Sequence, residues 1–235
     1  MIKIAITSFL SAICLYANSI YATFDVEAQK NASVAFSSSG TIADVHVDVG
    51  SIVKENEVLA ALNSDDVKAL LDTYKTTLKY AKKDLDRQKK VKKIIDKEKY
   101  DSYAYKYESA KANVVYQQAI LNKTILKAPF DGIISSKKVE VGDVVSGQMI
   151  TTAFTIQSEK MRKLILKFDQ KYYQKVKVGD IFKYKVDGDH KEYAGTISKI
   201  YPTVDTTSRK TVAEVKAKDI PVGLFGDGYI ITQDN

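Results

Sequence analysis

The sequence predicts a mainly β chain in which a small β-sandwich is written in two halves, with an α-helical coiled-coil hairpin inserted between them. Three observations carry this. A strand–turn–strand phrase occurs twice, as Val47 to Val58 and again as Val139 to Met149. The segment between the copies places apolar residues at alternating steps of three and four, and no proline interrupts it.

The repeat holds position by position. Gly40 to Gly50 matches Gly132 to Gly142 at an offset of 92, which also pairs Ile42 with Ile134, Val47 with Val139, Asp48 with Glu140, Val49 with Val141 and Val53 with Val145. Alternating Val45, Val47 and Val49, then Gly50, then Ile52 and Val53 read as strand, turn, strand. Two copies at so long a period are no solenoid, and each is too small to bury a core by itself. The halves should therefore pair into one sandwich, with Val47 and Val49 packed against Val139 and Val141. Gly50 and Gly142 are the structural turn glycines, the second needing positive φ if a β-branched residue there is to disturb the fold.

In the inserted segment Leu71, Tyr74, Leu78, Ala81, Leu85 and Gln88 form one heptad seam running on to Ile95, and Tyr100, Tyr103, Tyr107, Ala110, Val114, Gln117, Leu121 and Thr124 form the other. Asn63, Ser64 and Asp65 offer N-caps for the first helix, Asp96 with Lys97 and Glu98 turns the chain into the second, and Pro129 should end it. Two helices of roughly 30 residues make a hairpin about 45 Å long. Charge collects there. Lys75 to Lys99 holds eleven lysines and arginines against four acids, an excess of seven that equals the +7 of the whole chain. That localises any electrostatic contact to the hairpin.

The N-terminus reads as an export signal: Lys3, a mostly apolar run from Ile4 to Ala17, and small residues at Ala17, Ser19 and Ala22. Residues 1–22 are taken as the signal peptide, with the mature chain starting between 18 and 23. The run is shorter than the roughly 20 residues that span a bilayer. Cys14, the single cysteine, lies within it, and Ile13 before it argues against a lipid anchor there. A mature chain without cysteine has neither disulfides nor thiol chemistry.

The half sandwich, the helical hairpin and the second half opening with Ala128-Pro129-Phe130-Asp131-Gly132 and Val139-Glu-Val-Gly-Asp-Val-Val145 resemble the periplasmic adaptor, or membrane fusion protein, family of Gram-negative efflux systems of the RND type, in a short form. Gly195 to Pro202 and Val204 to Thr211 resemble the β-barrel segment of those adaptors, and the resemblance runs from about Val34 to Thr232. It implies a split lipoyl-like (biotinyl-type) β-sandwich at 34–64 and 128–158, the hairpin at 65–127, and a β-barrel domain at 160–233. Within the last, Leu164 to Phe168, Ile181 to Val186, Ala194 to Ile200, Thr211 to Val215 and Tyr229 to Thr232 read as strands, and Gly179-Asp180 and Gly226-Asp227-Gly228 as turns. Few residues flank these parts, so the family's membrane-proximal domain is expected to be missing.

The resemblance further implies a bridge without chemistry of its own. An inner-membrane transporter, of RND type, would meet the barrel and sandwich, an outer-membrane TolC-like channel would meet the hairpin tip, and copies would assemble as a homo-oligomeric, hexameric ring that seals the conduit. The tip residues are Arg87, which matches the family's arginine, Val91 at its leucine position, and the capping Asp96; Glu98 stands where the family has serine. Location is then the periplasm, held to the inner membrane through the partner. An adaptor of a type I secretion system or ABC exporter is the alternative.

Other classes have weaker support. A lipoyl or biotinyl carrier needs a lysine at a tight hairpin tip, whereas Leu62 leads through Asn63 to Asp66 into a helix bearing Lys68. His46, on a strand, and His190, in a polar loop with Asp187, Asp189 and Glu192, read as surface imidazoles and a β-turn. No glycine-rich phosphate loop and no nucleophile with a paired base is present, so neither an enzyme nor a cofactor is expected. Nucleic-acid binding by the basic helix is disfavoured because its tyrosines fall on the seam. An acidic partner surface remains.

Overall fold

The computed structural model describes residues 19–90 and 96–232. In chain order the elements are β1 (Ser19–Ala28), β2 (Asn31–Val34), β3 (Gly40–Val45), β4 (Ile52–Val53), β5 (Val58–Leu62), α1 (Asp65–Lys90), α2 (Lys97–Lys123), β6 (Ile125–Lys127), β7 (Gly132–Lys137), β8 (Val144–Val145), β9 (Phe154–Gln157), β10 (Met161–Asp169), a 3-10 turn (Gln170–Tyr172), β11 (Ile181–Val186), β12 (Tyr193–Asp205), β13 (Lys210–Lys218) and β14 (Phe225–Ile231). They form two units, residues 30–159 and residues 1–29 with 160–235.

The first unit is the sandwich with its hairpin. Its sheets have the orders β2-β9-β7-β4 and β6-β5-β3-β8. The repeat explains those orders: each strand of one sheet has its counterpart at the same place in the other, and each sequence half gives two strands to each sheet. Register obeys the offset of 92 as well, for Ile52 pairs with Ile133 and Val53 with Gly132, while Val144 pairs with Thr41 and Val145 with Gly40. Between the sheets lie Ile42, Val47, Val53, Leu59, Leu62, Ile134, Val139, Phe154 and Ile156. Val47 and Val139 are inside as expected. Val49 and Val141 are not, at 60% and 61% exposure, because each sits in the turn beyond its strand, where alternation has already ended.

The helices grow out of adjacent strands, β5 leading into α1 and α2 returning into β6, which pairs antiparallel with β5. Every seam position within the described helices is buried or half-buried, with Leu71, Leu85, Ala110 and Gln117 the most enclosed. The Gln117 amide nitrogen reaches the Val67 carbonyl at 3.4 Å, tying α2 to the first turn of α1. The described lengths of 26 and 27 residues make the helices about 39 and 40 Å long. α2 stops before Pro129 comes into play: the Thr124 N–H and hydroxyl both donate to the Leu121 carbonyl, and pairing of Ile125 with Ala61 takes over the backbone.

The second unit is a closed antiparallel barrel in the order β1-β10-β13-β12-β11-β14. Its first strand corrects the sequence reading. The sequence reading assigns Ser19 to Ala22 to the leader, yet they pair with Ile231 to Gly228 of β14, and Ile20, Ala22, Phe24, Val26 and Ala28 alternate into the core. β1 pairs on its other edge with β10, so it is the strand that closes the barrel. In the sequence this alternation is hidden, because the preceding apolar run and the small residues around Ala22 look like leader and cleavage site.

Gly226 and Gly228 are likewise not a turn but interior positions of β14. A Cβ on either would lie 2.1 or 2.2 Å from a carbonyl oxygen of β11, those of Lys185 and Lys183, and within 3 Å of Phe24 or Tyr184. These glycines make room for the packed rings of Phe24, Phe182 and Tyr184, whose centroids are 5.2 to 5.8 Å apart. Burial pushes the Tyr184 phenol above its ordinary pKa.

Candidate docking surface on the helical hairpin

The hairpin's rigidity starts at its root, where the sandwich clamps the strands that bear it. The Ala128 N–H donates to the Glu57 carbonyl at 2.9 Å, the Asn56 N–H donates to the Ala128 carbonyl at 2.8 Å, and the Asp131 carboxylate accepts from the Glu55 N–H at 2.7 Å. The Ala128 to Gly132 motif is thus a brace for the β4–β5 turn. Gly132 is needed there because a Cβ would lie 2.4 Å from the Gln157 carbonyl oxygen. The two turn glycines have φ of +87° at Gly50 and +95° at Gly142, with open space beyond both. Lys137 adds a tie between the halves, its ammonium 2.7 Å from Glu140 and 3.6 Å from the repeat-equivalent Asp48; chiefly the Glu140 contact raises its pKa.

At the distal end, Arg87 is exposed on the last turns of α1 and ion-paired with Asp84 one turn back. Asp96 is the N-cap of α2, its carboxylate accepting the Glu98 N–H at 3.0 Å. Val91 lies outside the described residues. Around Arg87, α1 divides its cations into two sets. Lys68, Lys75 and Lys89 have Asp65, Asp72 and Asp86 at 3.5 to 3.6 Å. Lys79, Lys82, Lys83 and Lys90 have no carboxylate within ion-pair distance among the described residues, and Lys83 lies instead over the Tyr80 ring at 5.4 Å. Sequence reading found the charge excess but not this partition, which needs side-chain positions.

The remaining candidates take structural roles. Lys68 sits on a helix beside Asp65, not at a hairpin tip. His46 is exposed, one residue beyond β3. In the loop after β11, Asp189 accepts from the Tyr193 hydroxyl at 2.6 Å and the Lys191 N–H at 3.0 Å, which hold its carboxyl below the usual range, and Glu192 pairs with Lys185 at 3.1 Å. Among the described residues no three His, Cys, Asp or Glu side chains come together as a metal site. No described helix is long and apolar enough to cross a membrane.

A sandwich split by a coiled-coil lever, with a closed barrel beside it in the chain, defines an adaptor architecture. The CzcB-like, barrel-sandwich hybrid domain model matches residues 30–157, more than half of the chain and nearly all of the first unit. The cobalt-zinc-cadmium resistance protein CzcB of Cupriavidus metallidurans is 24% identical over 222 residues, 87% of this chain but 42% of that protein, so the chain spans about two fifths of this relative's length. Among solved structures, a MacA-MexA chimera carrying the Pseudomonas aeruginosa MexA α-hairpin matches with a TM-score of 0.85 at 21% identity, over 92% of this chain and 82% of that one. The membrane fusion protein Spr0693 of Streptococcus pneumoniae R6 matches with a TM-score of 0.76 at 14% identity, over 92% of this chain and 100% of that one. At such identities these likenesses show the fold. The chain belongs to the CzcB-like membrane fusion proteins, the periplasmic adaptor family of efflux systems, whose members are non-enzymatic.

Proposed function

We propose that this protein is the periplasmic adaptor of a tripartite efflux pump, linking an inner-membrane transporter of RND type to an outer-membrane TolC-like channel and sealing the conduit as a ring of six copies. The observation that carries the reading is the lever itself: two helices about 40 Å long, rooted on adjacent, braced strands and ending in an exposed, basic distal turn. Such a hairpin spaces one partner from another, and its tip, with Arg87, Val91 and Asp96, is the surface offered to the channel. The barrel offers the transporter an outer face on which Tyr21 and Tyr229 meet edge to face at 5.8 Å, both half exposed. Residues 1–18 serve on this reading as the export leader.

The test uses photoreactive residues in intact cells, one replacing Ser102 near the hairpin tip and one replacing Tyr229 on the barrel. Capture of an outer-membrane channel from the first and an RND transporter from the second is the expected result. An ABC exporter captured from Tyr229 would move the protein to that class of machine, and no capture of a channel from Ser102 would overturn the bridge.

A further inference from the structure

We infer that the exposed lysines of distal α1, with Lys79, Lys83 and Lys90 on its outward face and Lys82 on the flank next to it, dock on a carboxylate-rich surface of the outer-membrane channel; this rests on the bridge reading above and names the chemistry of its far contact. Lys79, Lys83 and Lys90 follow one another at steps of four and seven and so share a helix face, with Lys82 beside them. All four are exposed; Lys79, Lys83 and Lys90 lie opposite the seam of Leu78, Ala81 and Leu85, and Lys82, four residues after Leu78, flanks that seam. Over these residues the helix rises about 16 Å, a stretch long enough to lie along a partner and not merely touch it.

The pairing pattern makes this more than a solvated charge run. The other cations of α1 have aspartates three residues before them, at Asp65, Asp72, Asp84 and Asp86. Those aspartates leave the four lysines uncompensated, although like charges one turn apart destabilise a helix. Nor would a second copy supply the missing anions. α2 carries five lysines against three acids, so the neighbouring hairpin adds charge of the same sign. Charge complementarity therefore points to an acidic partner of another kind, and surface lysines of this sort steer encounter and fix register.

The test couples amines to carboxylates directly. Cell envelopes containing the full chain are treated with a water-soluble carbodiimide, and isopeptide bonds are mapped by mass spectrometry. Bonds from these lysines to Asp or Glu of an outer-membrane protein are expected. Replacing all four by glutamine, which keeps a good helix former at each position, should lower channel capture from the Ser102 photoreactive position by about tenfold. Bonds only to carboxylates of this chain, bonds only to peptidoglycan, or no bonds at all would overturn the inference. So would undiminished Ser102 capture in the glutamine variant, which would leave the bridge standing; absence of channel capture by the unsubstituted chain would remove both.

Discussion

The Gly50 N–H donates to the Ile134 carbonyl at 2.9 Å, and its repeat-equivalent, the Gly142 N–H, donates to the Ile42 carbonyl at the same distance. The exchange continues one residue further, where the Ile134 N–H reaches the Ser51 carbonyl and the Ile42 N–H reaches the Asp143 carbonyl, both at 2.9 Å. Each half thus closes the turn of the other. Neither half can complete its own hydrogen bonds, and this is why a motif of so few residues must occur twice in one chain to make a fold.

Because both glycines have positive φ and nothing within 4 Å of an added Cβ, substitution is penalised by backbone strain alone. Gly50→Val and Gly142→Val should each cost about 1–3 kcal/mol, and by similar amounts because the sites are equivalent. Gly132→Ala should cost about 3 kcal/mol, since its Cβ must push against the Gln157 carbonyl of the neighbouring strand. Chemical denaturation of the three variants checks the order; Gly132→Ala proving milder than the turn variants would contradict the packing account.

The barrel has its own glycine test. Gly228→Val places a branched side chain against the Lys183 carbonyl and Tyr184, so β11 and β14 must separate. Loss of the barrel's cooperative transition is expected, with hydrogen exchange in residues 30–159 unchanged. A variant that melts like the parent would show that the close approach is relieved cheaply.

Asp205 sets the pH response of the β12–β13 loop. Its carboxylate accepts from the Ser208 hydroxyl at 2.6 Å and from the Thr207 N–H at 2.9 Å, and these bonds, the hydroxyl first, hold its pKa below the usual value. A carboxyl depressed on folding stabilises at pH above its unfolded pKa, and the contribution is lost as pH falls through the folded one. Exchange protection at Thr207 and Arg209, taken relative to an unstructured amide at the same pH, should therefore be kept at neutral pH and be lost on acidification below the ordinary aspartate range, whereas Asp205→Asn should flatten that dependence.

Processing of the N-terminus should respect β1. A cut after Ala22 would remove Ile20 and Ala22, both core residues, and half the pairing with β14. Mass spectrometry of the periplasmic protein is expected to find a first residue at or before Ser19. A mature chain starting at Thr23 would mean that the barrel closes with a shortened strand.

Arg87→Glu reverses charge on the exposed distal turn and sets a carboxylate beside Asp84. The fold should tolerate it, because an exposed ion pair is worth only about 0–1 kcal/mol, while channel capture from Ser102 should fall. Equal capture would remove Arg87 from the docking surface.

The periodic features are legible in the residue order alone. The offset of 92 between the halves, the two seams from Leu71 and Tyr100, the Asp96 cap and the positive φ at Gly50 and Gly142 all depend on local spacing, which is written in the order of residues. Features that depend on distant partners emerge only in the folded chain. Ser19–Ala28 became a strand because β10 and β14 lie on either side of it; Gly226 and Gly228 became strand residues because Phe24 and Tyr184 occupy the space a side chain would need; Val49 and Val141 stayed outside because the strands end before them. The four unpaired lysines belong to the same class, since a carboxylate three residues away can be counted in sequence but only coordinates show which cation it serves. Hydrophobic period is a property of the chain, whereas pairing, exclusion and charge compensation are properties of the space into which it folds.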